Sequence, residues 1–388
     1  MVNLSQQFST DISQESIKRH NEEASRVYEA YLKRKPERVP LLCGEWVGQH
    51  GFYADEINLD YRNYYTNPDL MLQVQLETAR RRRELPLHDN IQICRVPNES
   101  WCVGVDLWPV VAAGWLGCPI EYNETTQIAN RTLHLSKEEC DELMMPDLET
   151  GGILSTMKVF YNHMVDNYEN KLDFLGKTVD FILCGAGSNG VFSLALDIRG
   201  ENIMSDMYED PDFVHRFLNK LADWIELLEL AWLKDQRKPY SISDHGIDML
   251  SPEKYEEFII PILLRKNNNY LNITHDFHHC GIGQSLFPVI TKYFKLDNVH
   301  AVPFPALDIE RIRKDVGENV NIIVCIEEGI LKYGKPDDVR YTAKQLLTEK
   351  AKGSGGLAVL SGDLLRGVNL DNIFILYDAI REFGKYGQ

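Results

Sequence analysis

Positive charge is in short supply in this sequence. Across 388 residues, 41 Lys and Arg face 58 Asp and Glu, a formal charge of -17. Phosphate contacts need clustered cations, so the deficit argues against nucleic acid as a partner. The one dense basic run, Arg80-Arg81-Arg82-Arg83, is short and followed by Glu84, and reads as a solvated helix face or a small anion or partner contact. No stretch of about 18 apolar residues occurs, so no membrane span is expected. Met1 to Gln7 lack the basic region and apolar core of a secretory signal. The eight cysteines are scattered rather than framed for disulfides, which fits free thiols in a reducing cytoplasm. There is no Gly-x-Gly-x-x-Gly after a strand with an acidic residue at the usual distance, and no Walker-type loop, so a dinucleotide or P-loop fold has little support.

A hydrophobic fraction of 44% is ample for a buried core. Residues 11–35 place Ile17, Ala24, Val27, Tyr28 and Tyr31 at helical spacing, which predicts an amphipathic helix packed outside the main body and stopped by Lys35-Pro36. Apolar runs then alternate with helical patterns to the end of the chain. Strands are expected at 39–45, 91–96, 178–184, 240–245, 272–279, 298–304, 321–327 and 356–362. Alternation of this kind predicts a parallel sheet, and eight units predict a closed (β/α)8 barrel. The expected organisation is a helical extension over 1–38 and a barrel over 39–388, with long insertions after strand one (46–90) and strand two (97–150).

In a barrel the reactive groups collect at the C-terminal ends of the strands. Those ends read Gly44-Glu45-Trp46, Cys184-Gly185, Ser243-Asp244-His245-Gly246, His278-His279-Cys280-Gly281, Cys325-Ile326-Glu327 and Ser361-Gly362-Asp363. On an extended chain His278 and Cys280 project from one face, so imidazole and thiol could grip one metal ion, and that donor pair favours zinc. Bland readings stand beside each candidate. Cys184 and Cys325 suit buried apolar positions, Glu45 suits a cap, and Asp244 and His245 could simply orient one another. His275 and Asp276 suit partners that fix the tautomer of His278. The tryptophans at 101, 108 and 115 either cover the barrel mouth or touch a ligand.

Several segments together resemble the uroporphyrinogen decarboxylase superfamily. They are Gly185-Ala186-Gly187-Ser188 through Ala195-Leu196-Asp197-Ile198-Arg199-Gly200-Glu201, Tyr208-Glu209-Asp210-Pro211, and Asp244 followed by Leu250 to Phe258 with Pro261. Gly329-Ile330-Leu331, Gly334 to Val339, Leu357 to Ser361 and Asn369 to Ile373 continue the likeness over most of residues 36–385. The family's fold is a (β/α)8 barrel, as the strand count predicts independently. Its decarboxylases, which use no metal, carry an arginine-rich Met-Arg-Gln-Ala-Gly-Arg stretch after strand one for a polycarboxylate substrate. Here Leu42 to His50 hold no arginine and an added acid, Glu45, so such a substrate would meet uncompensated negative charge.

The other branch is the cobamide-dependent methyltransferases, whose His-x-Cys-Gly zinc motif His278-His279-Cys280-Gly281 resembles. That likeness implies a zinc-dependent transfer of a methyl group between a small methylated substrate or a thiol and a corrinoid protein. A methoxylated aromatic or a methylamine-like compound would suit the aromatic-rich insertions. Zinc ligands His278 and Cys280 follow, whereas the branch's third ligand, a cysteine near the last strand, is missing from Leu360-Ser361-Gly362-Asp363-Leu364. Cys325 is the expected third ligand, with Asp363 or Glu45 as substitutes. Asp244 and Glu45 are expected to be catalytic, and Trp46, Trp108, Trp115, His245 and Asp363 to line the substrate site. No Asp-x-His-x-x-Gly cobalamin motif is present, so the corrinoid is expected on a separate partner protein. The alternative is a metal-free lyase acting on a smaller carboxylic acid.

Overall fold

The computed structural model describes residues 14–43, 51–94, 96–122, 128–183, 188–232, 241–269, 276–278, 280–361 and 366–387. Eight parallel strands build it: β1 (Leu41–Leu42), β2 (Trp101–Gly104), β3 (Lys177–Ile182), β4 (Ser241–Ser243), β5 (Asp276–His278), β6 (Asn298–Phe304), β7 (Asn321–Ile326) and β8 (Leu357–Leu360). One arc runs β1-β8-β7-β6-β5-β4, and β2 pairs with β3 in a second. Helices separate the strands, among them Pro68–Arg82, Ile153–Tyr168, Pro211–Trp232, Ile309–Val316 and Pro336–Leu346. This is the (β/α)8 barrel that the alternation predicts. No described helix is long and apolar enough to cross a membrane.

Seven of the eight expected strands overlap observed ones, and strand two does not. Residues 91–94 run as irregular chain because their backbone is engaged elsewhere. The Asn21 side chain donates to Ile93 O (2.9 Å) and accepts from Ile93 N (2.8 Å), while Cys94 N donates to Arg83 O (3.0 Å). An amide side chain from the N-terminal helix thus takes the place of a neighbouring strand. The true strand follows the Pro97–Ser100 turn, with Trp101 opposite Val179 and Val103 opposite Phe181. The long connections therefore span 43–100 and 105–176.

Strand alternation separates two faces. Leu41, Phe277, Val299, Ile322, Val324 and Val359 are buried in the main core between sheet and helices. Their neighbours Leu42, Ile323, Ala358 and Leu360 belong to a separate apolar cluster on the barrel's inner face, together with Tyr28 and Tyr31. Those tyrosines come from α1 (Gln14–Leu32), which was expected outside the barrel. Its first half does lie against α3 (Leu370–Phe383), with Glu23 bonded to Arg381 (2.8 Å). Its last turn tucks beneath the N-terminal strand ends, where Arg34 donates to Glu318 O (2.6 Å) and to Asn321 Oδ1.

The inner face is polar on its β5–β7 side. Asp276, His278, Asn298, His300, Asn321 and Cys325 alternate there with the core residues, each half-buried. Asn321 Nδ2 donates to Asn298 Oδ1 (2.7 Å), and Asn298 Nδ2 donates to Asp276 Oδ1. These amides follow the register, which pairs Asn321 with Asn298 and Asn298 with Asp276.

Candidate metal centre and active site

The ends of β4 and β5 are level, because Ser243 pairs with His278 in a parallel ladder. His245 lies two residues past Ser243, and Cys280 two past His278. Carried past the level strand ends, imidazole, imidazole and thiol meet at the C-terminal rim. One ligand atom from each of His245, His278 and Cys280 lies within 4.8 Å of the other two. The two imidazole rings are 5.0 Å apart. Cys280 is exposed, so the group opens to the mouth.

Two nitrogens and a sulfur suit zinc. Bond lengths of about 2.0–2.1 Å to nitrogen and about 2.3 Å to sulfur set tetrahedral ligand atoms roughly 3.3–3.6 Å apart. Ligand atoms separated by as much as 4.8 Å would draw in by about 1 Å to bind the ion. Three protein donors leave one position for water or substrate, the pattern of catalytic rather than structural sites.

The three-donor group that the described residues form contains His245, not Cys325. Cys325 sits across the inner face on β7, opposite Leu360 and Pro303. His245, expected to line the substrate site, takes the third place that was assigned to Cys325. Glu45, Trp46 and Asp363 lie outside the described residues. Trp108 is half-buried in the short turn Trp108–Val110 after β2. Trp115 is corrected: it is buried in the short helix Val111–Trp115 and donates to Asp147 O (3.0 Å), so it serves packing. Trp101 is likewise buried on β2, donating to Phe174 O (2.8 Å).

Asp244 was expected to be catalytic, and its carboxylate is engaged inside the protein. It accepts from Phe192 N (2.7 Å), Ser193 N (3.1 Å), Ser193 Oγ (2.8 Å) and Gly246 N (3.3 Å). It thereby caps α2 (Val191–Arg199) from another element, receiving first-turn N–H groups that no helix carbonyl can satisfy. Burial raises its pKa to about 6, against the pull of these donors. Gly190 makes the approach possible: at φ +115° it has no Cβ, and one would fall 2.1 Å from Asp244 Cγ. His245 is held through its backbone, its N–H bonding Asn189 O (2.9 Å), while Asn189 Nδ2 bonds Pro109 O (3.2 Å). Asp244 therefore holds the strand-four turn on which His245 rides.

Two further features belong to this rim. Asp248 Oδ2 receives Ile282 N–H at 3.4 Å and would meet a Cβ on Gly281 at 2.6 Å, joining the two ligand-bearing loops. Met249 and Ile282, on those loops, are exposed apolar side chains. Below the rim, His278 Nδ1 lies 3.1 Å from His300 Nδ1 on β6, its register partner. Burial lowers the pKa of both His245 and His300 and keeps the imidazoles neutral.

Sequence reasoning missed Asp106. It lies two residues past the end of β2, is buried, and accepts from Tyr64 OH (2.9 Å). Burial raises its pKa to about 7. Its signal is Trp101-Cys102-Val103-Gly104-Val105-Asp106, an apolar run ending in an acid, which an expected strand two at 91–96 leaves in the insertion that follows. Ser361, buried at the end of β8, is 3.0 Å from Nε2 of His88, whose pKa burial lowers to about 3.

Comparison with known proteins adds to this geometry. The family described as Uroporphyrinogen decarboxylase (URO-D) matches residues 22–383. The uroporphyrinogen decarboxylase of Actinobacillus pleuropneumoniae serotype 5b is 26% identical over 187 residues, 46% of this chain and 51% of the relative, so the match spans about half the relative's length. That of Chlorobium limicola is 22% identical over 317 residues, 76% of this chain and 87% of the relative. Among solved structures, a methyltransferase from Methanosarcina mazei superimposes with a TM-score of 0.62 at 17% identity, covering 93% of this chain and 98% of that one. At that identity the likeness speaks for the fold.

Proposed function

The chain belongs to the uroporphyrinogen decarboxylase family, and from that premise we propose that it is a zinc-dependent methyltransferase exchanging a methyl group between a small methylated substrate, or a thiol, and a corrinoid protein. The observation that carries this reading is the group His245, His278 and Cys280 at the barrel mouth, a donor set for metal with one side open. Bound there, zinc would supply Lewis acidity toward a methyl donor or hold a thiol as thiolate. The chain's own groups do the rest. His245 and His278 would offer imidazole lone pairs, and Cys280 would give up its proton to become a ligand. Trp108, half-buried shortly after β2, would offer a methoxylated aromatic or a methylated ammonium group an aromatic face. The exposed side chains of Met249 and Ile282 offer a partner protein an apolar ledge beside the donor group. Methyl transfer is an in-line displacement that depends mainly on positioning, so the corrinoid must dock over this mouth.

Elemental analysis of the full chain, purified without chelator, tests the metal. The expected outcome is about one zinc per chain, lost in Cys280→Ala together with methyl transfer to free cob(I)alamin. Metal-free protein would refute the reading.

Asp106 favours a second reading, a metal-free lyase acting on a small carboxylic acid. A buried carboxyl with a pKa of about 7 can hold or release a proton near neutrality. Decarboxylation that survives both His278→Ala and Cys280→Ala and stops in Asp106→Asn would establish it instead.

A further inference from the structure

We propose that His300 is the positioning residue of the metal centre, holding His278 so that only its Nε2 faces the ion. The proposal rests on the metal reading above and adds a residue to it. His300 is a register partner of His278 on the neighbouring strand, and their Nδ1 atoms are 3.1 Å apart. His300 is not part of the three-donor group at the rim, so it lies behind His278 and not beside the ion.

The proton inventory then determines the arrangement. A neutral imidazole has one N–H and one lone pair. A metal takes the lone pair, so a His278 that binds through Nε2 must carry its proton on Nδ1. That N–H points at His300 Nδ1, which must accept, leaving the His300 proton on its Nε2. Partners of this kind orient the ligating ring and set its tautomer.

The backbone is arranged around this contact. Ala301, directly after His300, has φ +66°, and the β6–β7 register shifts at Ile323/Val324. Before the shift His300 pairs with Ile323 on the inner face; after it, Val302 pairs with Val324 in the outer core. The bulge thus leaves His300 on the inner face and returns the strand to the core one residue later. Below it, the donor chain Arg34 to Asn321 to Asn298 ends on the Asp276 carboxylate and ties the β5, β6 and β7 starts together. The strands that carry both histidines therefore share one fixed base.

The test measures zinc affinity by competition with a chromophoric chelator on full-length apoprotein, with thermal melting as a check on folding. His300→Ala is expected to weaken zinc binding ~10- to 100-fold. His300→Gln, which restores an acceptor oxygen, should recover most of that loss; His300→Phe, which fills the space without an acceptor, should not. Cobalt-substituted His300→Ala should also show shifted visible bands. Wild-type affinity in His300→Ala, or rescue by Phe as complete as by Gln, would overturn the proposal and leave the metal reading intact. A wild-type protein that holds no zinc would bring down both.

Discussion

Asp106 and Asp244 are both buried carboxyl groups at strand ends, yet their surroundings give them different work. Asp244 accepts four hydrogen bonds and serves the fold, whereas Asp106 accepts from Tyr64 OH. The second group makes a pH prediction. Its folded pKa of about 7 lies above the 3.8 usual for an aspartate, so the native state holds the proton more tightly than the unfolded chain does. The resulting stability is complete below about pH 4 and is lost as pH rises through 7. Asp106→Asn has no such proton to lose. Urea denaturation of the two proteins should show the wild type losing ground to the variant between pH 4 and 7, by at most about 4 kcal/mol, with a constant gap above. Parallel pH profiles would show that Asp106 is ionised throughout in the folded protein.

At the level of elements, the N-terminal helix decides two matters that lie far from it in sequence. Asn21 takes the backbone groups of Ile93, which is why the apolar run 91–96 is not a strand. Tyr31 joins the inner-face cluster with Leu42 and Ala358, closing the barrel from below. Tyr31→Ala removes a buried ring from that plug and should cost about 2–4 kcal/mol in urea unfolding, with the fold retained by circular dichroism. A cost below about 0.5 kcal/mol would mean that α1 merely lies against the barrel. Periodicity reads α1 as an amphipathic helix well, since Ala24, Val27 and Tyr31 are its buried positions. It does not say which surface those residues meet.

For the whole molecule, the candidate metal centre is assembled only in the native barrel, because His245 and His278 come from different strands. A ligand that binds the folded state alone stabilises it by about 2.7 kcal/mol at a hundred times its Kd. Zinc added to apoprotein should therefore raise the melting temperature of the wild type by a few degrees and leave Cys280→Ala unmoved. Equal shifts in both proteins would place the ion elsewhere. The strong net negative charge leaves this outcome legible, since nonspecific cation binding would move both alike.

Local pattern was enough for the barrel, for seven of its strands and for the pairing of His278 with Cys280, because period-two and helical spacing are properties of neighbours in the chain. The third donor was out of reach of that logic. Choosing His245 over Cys325 depends on strand register, Ser243 level with His278, and register is set by hydrogen bonds between segments far apart in sequence. The same holds for Trp115 and Asp244, whose residue types suit a site and whose burial assigns them to packing and to a helix cap. Residue chemistry and spacing proposed what could react; the closed sheet determined which of those groups meet.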